Sequence, residues 1–292
     1  MCDDSTENDI DEYVRKGGKL NRRDFGKLSA AASFAALLPN IASAESVSES
    51  DVQIETPDGI ADAYFVHPTE GKHPAILVWP DILGLRPAFR AMGKRLAESG
   101  YSVLVVNPFY RSAKAPVVEP GASFRDPATR EIVMPMRKLL TADTNFTDAK
   151  AFISYLDSRD EVDSDRQVGT TGYCMGGPIV MRTAATVPER VGAIASFHGG
   201  GLVTDAPDSP HLLIGDSNAH VLHAVAENDD AKNPDVKGVL KETYAAANIP
   251  AEIEVYEGTM HGWCPPDSAV YNKEQAERAW ARMLALFDKA LV

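Results

Sequence analysis

Three residue types able to share a proton and an electron pair occur along this chain in a fixed order: a cysteine, an acid and a histidine. Cys174 stands in Gly172-Tyr173-Cys174-Met175-Gly176-Gly177 and is one of only three cysteines in 292 residues. The run Val168-Gly169-Thr170-Thr171 before it reads as a strand, and "GGPIVMRTAATV" after it reads as a helix. A residue on so sharp a turn projects above the rim of a parallel sheet, and glycines two before and two after relieve its crowding. The pattern is G-x-S-x-G with cysteine in place of serine. Such a turn suits a thiolate, because the following helix aims its positive dipole end at the sulfur. The N–H of Met175 faces the position where an oxyanion would form.

The partners follow downstream. "AVAENDD" is a strand running into acidic residues, so Asp229 or Asp230 falls at a strand's C-terminal end. "VYEGTMHGWCPPD" is another strand and a short loop that delivers His261. Nucleophile, acid and histidine in this order are what an elbow hydrolase requires. His261 would hold or receive the thiol proton, and the acid would fix its tautomer and balance the imidazolium. Taken singly, each residue has a plainer reading: an inert buried cysteine, a loop histidine, and a turn former or helix cap. Their convergence at strand ends, in the right order, favours the chemical one.

The elements that must position these residues alternate between strand and helix. "DVQIET" and "ADAYFV" flank Pro57-Asp58-Gly59 and read as an antiparallel pair. "PAILVW" and "YSVLVVN" are continuous apolar runs, as expected of strands buried on both faces. Between them "AFRAMGKRLAESG" is helix-periodic and stops at Gly100. Residues 108–142 break the rhythm and could lie over a site as a lid. Helix then resumes at "TDAKAFISYLDS", and "VGAIASF", "AHVLHAVA" and "AEIEVYE" give further strands. A helix around Asp235 to Ala247 precedes the last of these, and an amphipathic helix closes the chain. The pattern predicts an α/β domain over residues 48–292, with a mostly parallel central sheet and helices on both faces.

Composition limits the partners. Apolar residues make up 44% of the chain, and the formal net charge of −13 is spread along it. A phosphate backbone calls for clustered Lys and Arg, so nucleic acid is not an expected partner. No G-x-x-x-x-G-K-[ST] loop and no strand-linked G-x-G-x-x-G occurs, and the remaining histidines lack metal-ligand spacing; neither cofactor nor metal is expected. His198, in "FHGGG" after a strand, could line the pocket, although a plain loop residue is the safer reading. Residues 1–44 form a separate segment. After a polar, acidic start comes Arg22-Arg23-Asp24-Phe25-Gly26-Lys27, then an alanine-rich stretch from Leu28 to Ile41, closed by Ala42-Ser43-Ala44. This matches the twin-arginine export pattern R-R-x-F-x-K with a small-residue cleavage site. The expectations are passage through the twin-arginine machinery, cleavage after Ala44, a periplasmic or exported product and no lasting membrane anchor.

With these residues in place, the chain resembles the dienelactone hydrolase family of α/β-hydrolases over nearly all of residues 50–290. The likeness rests on "GYCMGG", "AEND", "GTMHGW", "WPDILGL" after the third strand and "NPFYR" after the fourth. It implies an α/β-hydrolase fold, the triad Cys174, Asp229 and His261, and hydrolysis of small esters or lactones such as a dienelactone through a cysteinyl acyl-enzyme. It selects Asp229 over Asp230, and assigns the second oxyanion N–H to Ile82. In the family's pattern a glutamate beside the resting thiol occupies the place of Asp81, which is one methylene shorter. Arginines from the lid region bind carboxylated lactones in the family, and Arg111, Arg125 and Arg130 are the candidates here. Cys264, three residues after His261, reads as a structural thiol; a disulfide with Cys174 would silence the nucleophile. The competing readings are a thiol redox or sensing protein, in which Cys174 and Cys264 would cycle, and an inactive binding module on the same fold.

Overall fold

A computed structural model describes residues 44–292 together with Asp9, Ile10, Glu12, Tyr13, Arg15 and Leu38. The twin-arginine stretch and its cleavage site therefore lie outside the described residues, apart from Leu38 and Ala44. The antiparallel pair is β1 (Val47–Thr56) and β2 (Gly59–Pro68), in register from Val47 opposite Pro68 to the turn at Thr56 and Gly59. It extends the sheet past β4 (Ser102–Val106), which pairs antiparallel with β2. The remaining strands, β3 (Ala75–Trp79), β5 (Val168–Tyr173), β6 (Val191–Phe197), β7 (His220–Ala226) and β8 (Ala251–Tyr256), all run parallel with β4. The order across the eight-stranded sheet is β1-β2-β4-β3-β5-β6-β7-β8.

Alternation along the buried strands divides the core in two. Leu77 and Trp79 of β3 face a cluster with Phe152, Ile153 and Leu156 of α3 (Ala142–Asp157). Ile179 and Val180 of α4 (Gly176–Thr186) belong to the same cluster. Ile76 and Val78 face the other cluster, with Phe89, Met92 and Leu96 of α1 (Pro87–Glu98). The C-terminal helix α7 (Lys273–Ala290) adds Met283 and Phe287 on that face. The helices thus cover both faces, as the apolar runs predict. Truncating a ring such as Phe152, fully buried here, is expected to cost about 3–5 kcal/mol.

Two local features depart from the sequence reading. The third helix starts at Ala142 rather than Thr147, because Thr141 and Thr144 form a reciprocal capping box at its N-terminus. The lid region contains a helix, α2 (Pro127–Arg137), in which only Thr129 and Val133 are buried. So little of α2 turns inward that no strong apolar period announces it.

Candidate active site

The chain visits β3, steps to β4 on one side, then crosses to β5 on the other, so β3 and β5 are neighbours at a reversal of strand order. Loops leaving the carboxyl ends of two such strands diverge and open a crevice. The loop after β3 carries Asp81 and Ile82, and the turn after β5 carries Cys174. Cys174 has φ 53°, a left-handed conformation that costs a non-glycine residue about 1–3 kcal/mol and clusters at functional sites. Its N–H donates to the Phe197 carbonyl at 3.0 Å, and its own carbonyl accepts from Gly177 at 3.1 Å. The flanking glycines are sterically required. A Cβ on Gly172 would lie 2.2 Å from the Gly176 carbonyl oxygen, and one on Gly176 would lie 2.5 Å from that of Trp79. Cys174, Met175 and Ile82 are all buried in one apolar cluster.

His261 reaches this turn from the loop after β8. The short helix α5 (Glu227–Lys232), directly after β7, grips that loop at several points. His261 N–H donates to Asn228 Oδ1 at 2.8 Å, and Gly258 N–H donates to Glu227 Oε2 at 2.7 Å. Glu227 N–H in turn donates to Thr259 Oγ1 at 3.2 Å. With the backbone held, His261 Nδ1 donates to Asp229 Oδ2 at 2.7 Å, and the imidazole also interacts with the Cys174 side chain through a hydrogen bond and its charge. Asp230 turns away and binds Lys237 Nζ at 2.6 and 2.8 Å. The geometry thus separates two adjacent acids that their strand-end placement leaves open, on the side of Asp229, which the resemblance also selects. Burial pulls the His261 pKa down, but the Asp229 carboxylate and the Cys174 thiolate outweigh it and push it up to about 10. At neutral pH His261 is therefore an imidazolium held beside the Asp229 carboxylate.

A second imidazole adjoins the first. His198, directly after β6, is fully buried and has φ 40°, and its ring meets that of His261 edge-on with centroids 5.2 Å apart. Neither of its ring nitrogens has a hydrogen-bond partner among the described residues. Burial, helped by the nearby His261 charge, holds its pKa well below the usual value, so it stays neutral. His198 does lie in a bend directly after β6, as expected; the structure adds its full burial against His261.

The remaining candidates fall into place differently. The Asp81 carboxylate accepts from Leu83 N–H at 2.9 Å and from Arg86 Nη1 and Nη2 at 2.6 and 2.9 Å. It is thus engaged by an arginine that the sequence reading did not single out. Arg111 is bound to Asp148 at 2.7 and 2.8 Å and to Asp58 at 2.5 and 3.0 Å, which ties the β1–β2 turn to α3. Arg130 donates to the carbonyls of Phe124 and Arg125 and so braces the turn before α2, with Arg125 half-buried in it. No disulfide joins Cys174 and Cys264, and both are buried, in separate core clusters. Burial raises the Cys264 pKa well above the usual thiol value and keeps it protonated, as suits a structural thiol.

Comparison with known proteins identifies the family. The family model described as "Dienelactone hydrolase family" matches residues 61–291. A relative from Synechocystis sp., named "Putative carboxymethylenebutenolidase", is 29% identical over 228 residues, covering 76% of this chain and 88% of its own. A carboxymethylenebutenolidase from Rhodococcus opacus is 25% identical over 226 residues, covering 76% and 83%. A crystal structure from Klebsiella pneumoniae, described as a "Putative Dienelactone Hydrolase", superposes with a TM-score of 0.71 at 24% identity, covering 84% of this chain and all of its own, and shows the shared fold. Elbow, sheet order and the family match over nearly the whole described domain lead to one conclusion: the chain belongs to the dienelactone hydrolase family, hydrolases with an α/β-hydrolase fold that act on ester and lactone bonds.

Proposed function

We propose that this protein hydrolyses small esters or lactones through a Cys174–His261–Asp229 triad and a thioester intermediate. The reading rests above all on His261 lying between Asp229, at 2.7 Å, and the Cys174 side chain. The Cys174 thiolate attacks the carbonyl carbon, and the N–H groups of Met175 and Ile82 hold the oxyanion. As the tetrahedral intermediate collapses, the ester or ring oxygen leaves and takes its proton from the His261 imidazolium. In a lactone that oxygen stays tethered to the acyl group as a new hydroxyl or enol. Water then attacks the thioester, giving up its proton to His261, and the thiolate departs as the acid is released. Asp229 holds the imidazole tautomer and balances its charge throughout. The names of the relatives point to a lactone of the carboxymethylenebutenolide type as the substrate class.

The protein is also proposed to leave the cytoplasm. Residues 1–44 act as a twin-arginine export signal, and cleavage after Ala44 keeps every strand of the sheet, since β1 begins at Val47, while removing Leu38 from its packing on Ala88 and Ala91 and breaking the Asp9–Lys232 ion pair. Replacing Arg22 and Arg23 with lysine should hold the protein in the cytoplasm; unchanged fractionation would refute the signal. For the chemistry, Cys174→Ala should abolish turnover of an ester and lactone panel while the far-UV spectrum stays intact. Full activity in that variant would end the proposal.

A further inference from the structure

One buried side chain joins the two loops that carry different parts of the proposed machinery. Arg86 lies at the end of the loop after β3, and its side chain is only 8% exposed. Nη1 and Nη2 donate to the Asp81 carboxylate at 2.6 and 2.9 Å. Nε and Nη2 donate to the Asp267 carboxylate at 2.6 and 2.9 Å, and Nη1 also reaches the Gly84 carbonyl at 3.3 Å. Asp267 belongs to the loop that follows His261, and Asp81 immediately precedes Ile82. The Asp81 carbonyl accepts from Gly84 N–H at 2.9 Å, so the same residue also closes the turn around Ile82. Both carboxylates are 13% exposed. Two bidentate pairs on one planar fork fix orientation as well as distance, which a lysine ammonium cannot reproduce. Burial opposes the Arg86 charge, but Asp267 and Asp81 together outweigh it and drive its pKa upward, so the cation persists.

Building on the proposed function, we propose that Arg86 is a positioning residue for the reaction: by holding Asp81 and Asp267 at once, it sets the oxyanion loop against the loop bearing His261. Asp81 then serves as the anchor of that clamp, and the Cys174 sulfur is governed by His261. The His261 loop has further supports in Asn228 and Glu227, whereas the oxyanion loop meets it through Arg86. Loosening the clamp should therefore harm oxyanion stabilisation before it harms the thiolate–imidazolium pair.

Two readouts separate these effects. Hydrolysis of p-nitrophenyl acetate needs the oxyanion hole, and alkylation of Cys174 by iodoacetamide at neutral pH needs only the thiolate. In Arg86→Lys, kcat should fall about 10²-fold, the cost of an ångström-scale misplacement, with KM and the alkylation rate within about threefold of the wild type. Asp81→Asn should move in the same direction. If Arg86→Ala folds, millimolar guanidinium should restore part of its kcat. The inference is overturned if Arg86→Lys keeps the wild-type kcat, or if alkylation and turnover fall together with Tm, as for a merely structural ion pair. A slower alkylation in Asp81→Asn would equally overturn it, by placing Asp81 at the sulfur. Failure of the hydrolase reading itself would look different, since Cys174→Ala would then retain turnover.

Discussion

Adding one methyl group to Gly176 should damage turnover far more than stability. A Cβ there would sit 2.5 Å from the Trp79 carbonyl oxygen, 3.1 Å from its Cβ and 3.2 Å from its carbonyl carbon. All three atoms lie at the end of β3, and two of them are backbone, so no rotamer change clears the space. Reaching the roughly 3.3 Å of a close C···O contact requires the start of α4 to move about 0.8 Å from the strand. That displacement separates Met175 from the loop bearing Ile82, and so opens the proposed oxyanion hole. Overpacking of this kind costs about 1–3 kcal/mol. For a domain of this size the Tm should fall by about 2–4 °C per kcal/mol. An ångström of misplacement costs about 10²-fold in rate, so kcat for p-nitrophenyl acetate should drop by tens of times at least. Gly238→Ala provides the control: the space around it is open within 4 Å and it lies inside α6 (Val236–Ala246). There alanine should add about 0.5–1 kcal/mol of stability and leave turnover alone. Wild-type kcat and Tm in Gly176→Ala would refute the packing of the turn against β3, and with it the derivation of the oxyanion hole.

Asp229→Asn removes the carboxylate that sustains the imidazolium while burial remains, so the His261 pKa should fall from about 10. The alkaline limb of kcat/KM, where the imidazolium loses its proton, should move to lower pH; an unmoved limb would exclude Asp229 as the partner. Asp230→Asn should leave that limb in place, because Asp230 binds Lys237 instead. His198→Phe should raise Tm by a few degrees, since it deletes two buried nitrogens without partners among the described residues, whose desolvation costs about 1–3 kcal/mol; a lower Tm by calorimetry would contradict this. Arg111→Ala should cost about 3–5 kcal/mol in urea denaturation, because it strands the fully buried Asp148. Stability unchanged by that substitution would remove Arg111 from the structural frame and return it to the substrate-binding candidates.

The parts legible in the sequence are those whose constraints are local or periodic. Continuous apolar runs marked β3 and β4, since strands covered on both faces need no polar alternation. Gly172 and Gly176 betrayed the elbow because the close approach that requires them falls at fixed offsets from Cys174. Helix α5 was missed because six residues are too few to show a period, yet it positions both Asp229 and the His261 loop. Arg86 and Asp267 stand 181 residues apart, and an ion pair across that distance leaves no pattern in a single sequence. His198 sits in a glycine-rich stretch that looks like a turn, and its burial arises only when β6, β7 and the His261 loop pack together.

In the proposed reaction Cys174 carries the acyl group between two half-reactions. Mixing the protein with p-nitrophenyl acetate, quenching in acid within the first turnover and mapping peptides by mass tests it directly. The account predicts a burst of about one p-nitrophenolate per chain and a single acetyl thioester on the peptide containing Cys174. An acetyl group on another residue, or turnover with Cys174 never modified, would contradict it.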